Sequence, residues 1–168
     1  MLAGRQYGLS GSSLRWAKIM QDKLWLEDLA VGQQYSSGTH TLSAEEIKEF
    51  AGRYDPQPFH MDEAAARGTM FGGLAASGWH TAAITMRLSV QSFPLASGII
   101  GSGGELRWPW PVRPGDTLQV KSEILEIIPS QSKPDRGMVR VKLTTTNQNG
   151  DVVQTFSPRL VVFRRPSP

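Results

Sequence analysis

The chain has 168 residues, 39% of them hydrophobic and 20% charged, and no cysteine. That is the size and make-up of one ordinary globular domain, and it excludes a disulfide scaffold, a thiolate nucleophile and a Cys-ligated zinc. The net charge of +3 comes from residues 1–20, where Arg5, Arg15 and Lys18 stand without an acidic residue; beyond them basic and acidic side chains balance and scatter, so an electrostatic footprint for nucleic acid is missing.

No apolar run reaches the ~18 residues of a membrane span, which leaves a cytoplasmic protein with neither membrane nor nucleic-acid partner as the expectation. Residues 1–20 are rich in Gly, Ser and Arg and have no period. They read as a segment added ahead of the domain, a flexible arm or a targeting peptide, though not a secretory signal, which needs an apolar stretch. A single domain is expected over 21–168.

Ser43-Ala-Glu-Glu46 is a capping box: the hydroxyl accepts from a free amide of the first turn and the carboxylate three residues on reaches back. It predicts a helix of about ten residues with Ile47, Phe50 and Ala51 on one face, stopped at Asp55-Pro56 because a residue before proline leaves the α region. Asp62 is placed to cap a short turn over Glu63 to Arg67, which Gly68 ends. Residues 77–90 read as a second helix, apolar nearly all round and therefore buried. After Pro94 the pattern turns to strands near 98–108, 117–128, 138–147 and 151–163, the last two joined at Asn149-Gly150, a pair that favours a type I′ hairpin. Helices followed by a strand meander imply an α+β fold, one buried helix against an antiparallel sheet. The glycines of residues 98–104 match no phosphate-binding motif and read as a bulge or a close backbone approach.

The segment Tyr54-Asp55-Pro56-Gln57-Pro58-Phe59-His60 sets a carboxylate and an imidazole in a loop stiffened by two prolines. Such a pair reaching one water is an acid/base device at neutral pH; a plain turn, with Asp55 on local amides and His60 packed, fits the same spacing. Phe71-Gly72-Gly73 and Ala76-Ser77-Gly78-Trp79 run into the second helix. Free amides at a helix start stabilise a negative oxygen, and glycine there admits a carbonyl close to the backbone, although it also permits simple helix–sheet packing. Ser77 does not lie in a nucleophile elbow, the spacing of His60, Asp62 and His80 matches no standard metal site, and Trp108 and Trp110 about Pro109 read as aromatic packing.

Together these segments, with Phe50-Ala51 and Pro111-Val-Arg-Pro-Gly-Asp-Thr-Leu118, resemble the MaoC-like, or (R)-specific enoyl-CoA hydratase, family of hot-dog-fold proteins over roughly residues 24–163. The resemblance implies a hot-dog fold, an antiparallel sheet wrapped around one long helix, and a hydro-lyase that adds water reversibly and syn to a trans-2-enoyl-CoA. The catalytic pair falls on Asp55 and His60 and the carbonyl-polarising amide on Gly78, with Gln57, Phe59, Met61, Ser77 and Trp79 shaping the pocket. It implies no metal and no cofactor beyond the CoA of the substrate, an acyl-CoA partner, and a homodimer or higher homo-oligomer. A hot-dog thioesterase and a non-catalytic acyl-CoA-binding subunit are the alternatives. The chain departs from the commonest family pattern in having Tyr54 where the loop usually has Gly, Gln57 where it has Asn, and Met86 where a small polar residue is usual.

Overall fold

A computed structural model describes residues 23–166; residues 1–20, expected to precede the domain, lie outside that range. Five antiparallel strands, β1 (Gln34–Thr41), β2 (Ile100–Arg107), β3 (Thr117–Pro129), β4 (Arg136–Thr146) and β5 (Val152–Phe163), form one sheet in the order β1-β3-β4-β5-β2. Four helices, α1 (Ala44–Tyr54), α2 (Pro58–Met61), α3 (Glu63–Arg67) and α4 (Gly78–Ser92), lie in sequence between β1 and β2. The sheet curls about α4, the hot-dog architecture that the resemblance implies. Among the described residues no helix is long and apolar enough to cross a membrane.

The central strands alternate as a half-buried sheet should. In β4, Val139, Val141, Leu143 and Thr145 face inward while Arg140 and Lys142 face out. Leu118, Val120 and Ile124 of β3 and Val153, Leu160 and Val162 of β5 join them in one core with Leu42, Ile47, Ile84 and Leu88. The glycine-rich start of β2 is a bulge, with the register slipping between Gly101 and Gly104. A methyl group on Gly104 would stand 2.7 Å from the backbone of Ser157 and Pro158, so the close approach is also real.

Three expectations need correction. A strand precedes the helices: β1 is an edge strand paired only to β3, and of its residues only Ser37 is buried. With one apolar side chain in Gln34-Tyr-Ser-Ser-Gly-Thr-His-Thr41 it carries no alternation to read. Its bulge between Ser36 and Thr39 is filled by Ser37, whose hydroxyl accepts from the Val120 amide at 2.9 Å. Second, α4 is not buried all round. One sheet covers one side of it, and that side carries His80, Thr81, Ile84, Thr85, Leu88 and Ser89, whereas Trp79, Met86 and Val90 are exposed. The buried hydroxyls are satisfied by Thr85 against Thr145 (2.7 Å) and by Ser89 donating to the Thr85 carbonyl (2.7 Å), so polar residues are tolerated on the inner face. Third, the β4–β5 turn is not type I′. Gly150 alone has positive φ, and the Asn147 side chain accepts from the amides of Asn149 and Asp151, which lets Asn149 keep an ordinary conformation.

The capping box forms as expected: the Glu46 amide donates to Ser43 Oγ (3.2 Å) and the Ser43 amide to Glu46 Oε2 (3.0 Å). Ile47 and Ala51 are fully buried, and Phe50 lies flat against His80 with ring centroids 4.5 Å apart, which seats α1 beside the start of α4. Asp62 caps α3 by accepting from the Ala65 amide at 2.7 Å. Because α1 is followed directly by its C-cap Asp55, which carries the site's carboxylate, its N-cap bears on function. Ser43→Ala is expected to lower stability by about 1 kcal/mol in urea denaturation; an unchanged midpoint would show that tertiary packing alone holds α1.

Candidate active site

Asp55 closes α1, its amide donating to the Ala51 carbonyl at 2.9 Å. Pro56 prevents another helical turn, and Pro58, at the first position of α2, starts a single new one that carries Phe59 and His60. The carboxylate and the imidazole are thereby turned toward each other, with His60 Nε2 3.4 Å from Asp55 Oδ2. His60 is 5% exposed, and its Nδ1 lies 2.7 Å from the Ala75 carbonyl. A carbonyl only accepts, so Nδ1 carries a proton and Nε2 is the ring nitrogen left facing Asp55.

Asp55 is held on both oxygens. Ser77 Oγ donates to Oδ2 and Gln57 Nε2 to Oδ1, each at 2.7 Å. Burial pushes the carboxyl up, but the bonds from Ser77 and Gln57, together with His60, outweigh it and hold Asp55 below the ordinary carboxylate range. Ser77 has a second task as the N-cap of α4, accepting from the Trp79 amide at 3.2 Å. Asp55 is therefore an anion fixed to the start of the central helix.

The next residue, Gly78, opens α4, and its amide has no acceptor among the described residues. The N-terminal end of this helix concentrates the positive end of the peptide dipoles there. Glycine is required at 78 for a reason of packing. A methyl group would come within 2.7–3.0 Å of three atoms of the Trp108 indole, whose Nε1 donates to the buried Gln154 at 2.8 Å.

A cavity of about 400 Å³ joins these groups: Gln57, His60 and Gly78 lie on its wall with Phe59, Phe71 and Trp108. Phe59 stands edge-on to His60, centroids 4.5 Å apart, and packs against Phe71. The structure thus brings Asp55, His60, Gln57, Ser77 and Gly78 together, with Phe59 beside them. Met61 and Trp79 do not line the cavity: the Met61 side chain lies over Gly52, and Trp79 is exposed with its ring T-shaped to that of Trp108, 5.4 Å between centroids. Trp108 and Trp110, read from sequence as aromatic packing, are instead part of the cavity wall. Their place in Trp108-Pro109-Trp110-Pro111, where two prolines stiffen the segment, was the available signal.

Residues 28–147 match the family model described as MaoC like domain. The chain belongs to the MaoC-like dehydratase family. A MaoC-like dehydratase from Rhodospirillum rubrum has 61% sequence identity and a TM-score of 0.84, covering 86% of this chain and 99% of that one. The (R)-hydratase PhaJ1 from Pseudomonas aeruginosa, in its unliganded form, has 28% identity and a TM-score of 0.71 over 85% of this chain and 88% of its own. The 3-hydroxybutyryl-CoA dehydratase of Methylorubrum extorquens is 31% identical over 140 residues, 82% of this chain and 83% of that protein.

The sign of the Asp55 shift sets its pH behaviour. A folded-state value below the unfolded one means that the group stabilises the fold above the ordinary carboxylate range, and that this is lost as pH falls through the folded value. Ser77→Ala removes the donor to Oδ2, so Asp55 is expected to titrate at higher pH, as read from its carboxyl carbon shift. An unchanged titration would mean that Gln57 and His60 alone hold the anion.

Proposed function

We propose that this MaoC-like dehydratase adds water reversibly to a trans-2-enoyl-CoA, giving the 3-hydroxyacyl-CoA. The observation that carries the reading is the facing of Asp55 Oδ2 and His60 Nε2, with His60 and the unsatisfied helix-start amide of Gly78 both on the wall of one largely apolar cavity. Two acceptors 3.4 Å apart suit the two hydrogens of one water, which leaves the water's lone pairs free to attack. The 3-hydroxybutyryl-CoA dehydratase and the (R)-hydratase among the relatives support the same chemistry.

In this mechanism the thioester carbonyl accepts from the Gly78 amide, and the acyl chain lies among Phe59, Phe71 and Trp108. Water attacks C3 while one of its protons passes to His60 Nε2. The Asp55 carboxylate is a poor proton acceptor, because Ser77 and Gln57 stabilise its anion, and it stabilises the imidazolium instead. Electron density moves from the C2–C3 double bond to the thioester oxygen, where the Gly78 amide and the helix dipole receive it. The imidazolium then returns the proton to C2 on the face that water attacked, which makes the addition syn. The reverse sequence dehydrates the 3-hydroxy thioester with the same groups. Hydroxide and proton both come from water, so the reaction calls for no metal or organic cofactor besides the substrate's CoA.

The decisive assay follows loss of enoyl-thioester absorbance with a series of trans-2-enoyl-CoAs from crotonyl upward, alongside release of free thiol. Absorbance loss without thiol is expected, falling by at least about 100-fold in Asp55→Asn with the fold retained. Thiol release by the wild type would make the protein a thioesterase, and an Asp55→Asn variant with near wild-type rate would remove Asp55 from the mechanism.

The reading includes a cytoplasmic homodimer. The face of α4 that the sheet leaves bare carries Trp79, Met86 and Val90, and a second copy would cover it. Wild-type protein is expected to sediment as a dimer and Val90→Glu to shift it toward monomer; a wild type monomeric at micromolar concentration would remove the dimer.

A further inference from the structure

Arg113 lies outside the reacting groups, and its backbone is held first. Arg113-Pro114-Gly115-Asp116 forms a turn closed by the Asp116 amide on the Arg113 carbonyl at 3.0 Å, with φ of +86° at Gly115. Proline at the second place and a positive-φ glycine at the third are the marks of a type II turn. The buried Asp116 carboxylate accepts from the Arg113 amide at 2.7 Å, and the turn is fastened to the chain leaving β1 through Gly115 to the Leu42 carbonyl and Leu42 to the Asp116 carbonyl.

From that base the guanidinium reaches three carbonyls of the segment between α3 and α4. It donates to Gly73 at 2.8 Å, to Leu74 at 3.1 Å and to Phe71. Each of these oxygens would otherwise need another partner, and a planar fork of five donors is the side chain that can serve all three. The Leu74–Ala75 peptide is then clamped at both ends, its oxygen by Arg113 and its N–H by the Phe59 carbonyl at 3.1 Å. The following peptide is also clamped: the Ala76 N–H donates to the Val112 carbonyl at 2.9 Å, and the Ala75 oxygen receives His60 Nδ1 at 2.7 Å.

We infer that Arg113 is a positioning residue that sets the tautomer of His60 through this backbone. By fixing the plane before Ala75, it aims the Ala75 carbonyl at Nδ1 and so keeps Nε2 free for the proton of water. The inference rests on the hydratase reading for its catalytic consequence but not for its structural content. Without the three anchors the plane before Ala75 turns, the Ala75 oxygen leaves the ring, and the imidazole proton distributes over both nitrogens. A base in the wrong tautomer cannot accept a proton at Nε2, an effect that reaches about 10⁴-fold where a triad histidine is misset.

The test uses Arg113→Met, which keeps the apolar stem and loses every donor, with Arg113→Lys as the conservative variant. Ring-nitrogen NMR on histidine-labelled full-length protein, with His60 assigned by the signal lost in His60→Gln, should show wild-type His60 protonated on Nδ1 alone when neutral. Arg113→Met should show both tautomers, with kcat on an enoyl-CoA lowered at least about 10-fold and KM little changed. Lysine, an ammonium that cannot span three carbonyls, should fall between. A folded Arg113→Met with wild-type tautomer overturns the inference, as does a wild type protonated on Nε2. If the methionine variant does not fold, Arg113→Lys decides: a mixed tautomer supports the inference and the wild-type tautomer overturns it. A wild type that hydrates no enoyl thioester defeats the hydratase reading separately, while the spectra still decide the role of Arg113.

Discussion

Ser77 cannot release Asp55 without also loosening the start of α4. One hydroxyl donates to the carboxylate and accepts from the Trp79 amide, so the end of α1 and the beginning of the central helix share a single side chain. This junction orders much of the site. It places an anion beside the end of the helix dipole that favours anions, and it holds that anion below the ordinary carboxylate range. It also leaves the next amide, Gly78, without an acceptor among the described residues. A capped helix still has free amides in its first turn; here one is spent on Ser77 and another opens on the cavity.

The surrounding packing makes the junction rigid. Trp108 lies on Gly78 so closely that no side chain fits there, and its indole is tethered to Gln154 on β5. The glycine therefore serves the indole first, and the exposed amide is a consequence of a wall that must pass close to the helix. On the other side, Phe50 and His80 stack with their planes 2° apart. Burial pushes His80 below the ordinary histidine range, with His40 adding to the shift and Glu46 opposing it. A neutral ring is what can stack on Phe50 without stranding a charge in the interior. The site is thus bounded by aromatic contacts on both flanks of the helix start.

How much of this was legible follows from where each signal is stored. Asp55, Pro56, Pro58 and His60 are local: two prolines and a helix stop fix their relation within one short segment, so the pairing could be read from the chain itself. The capping box of α1 and the bulge near Gly104 are local in the same sense. β1 was not legible, because an edge strand paired on one side needs no apolar alternation, and its one buried residue is a serine that completes the ladder with its hydroxyl. The inner face of α4 was misjudged because Thr85 and Ser89 are buried by hydrogen bonding, which a hydropathy period cannot register. Arg113 stood inside a motif that could be quoted, but its three carbonyl partners lie about forty residues earlier in the chain, and only the fold reveals them.

The same distinction explains why Met61 and Trp79, expected to shape the pocket, do not line this cavity. Both stand next to a site residue in sequence, yet in a helix consecutive side chains diverge by about 100°. His60 and Gly78 lie on the cavity wall, and their immediate successors Met61 and Trp79 are turned away from it. Trp79 turns outward onto the face that the sheet leaves bare, where its ring stands T-shaped to Trp108. Adjacency in the chain is therefore a weak guide: Phe59 and His60 both reach the wall, whereas Met61 does not. Within α4 the cavity takes instead the residue one turn on, Thr81, three positions after Gly78.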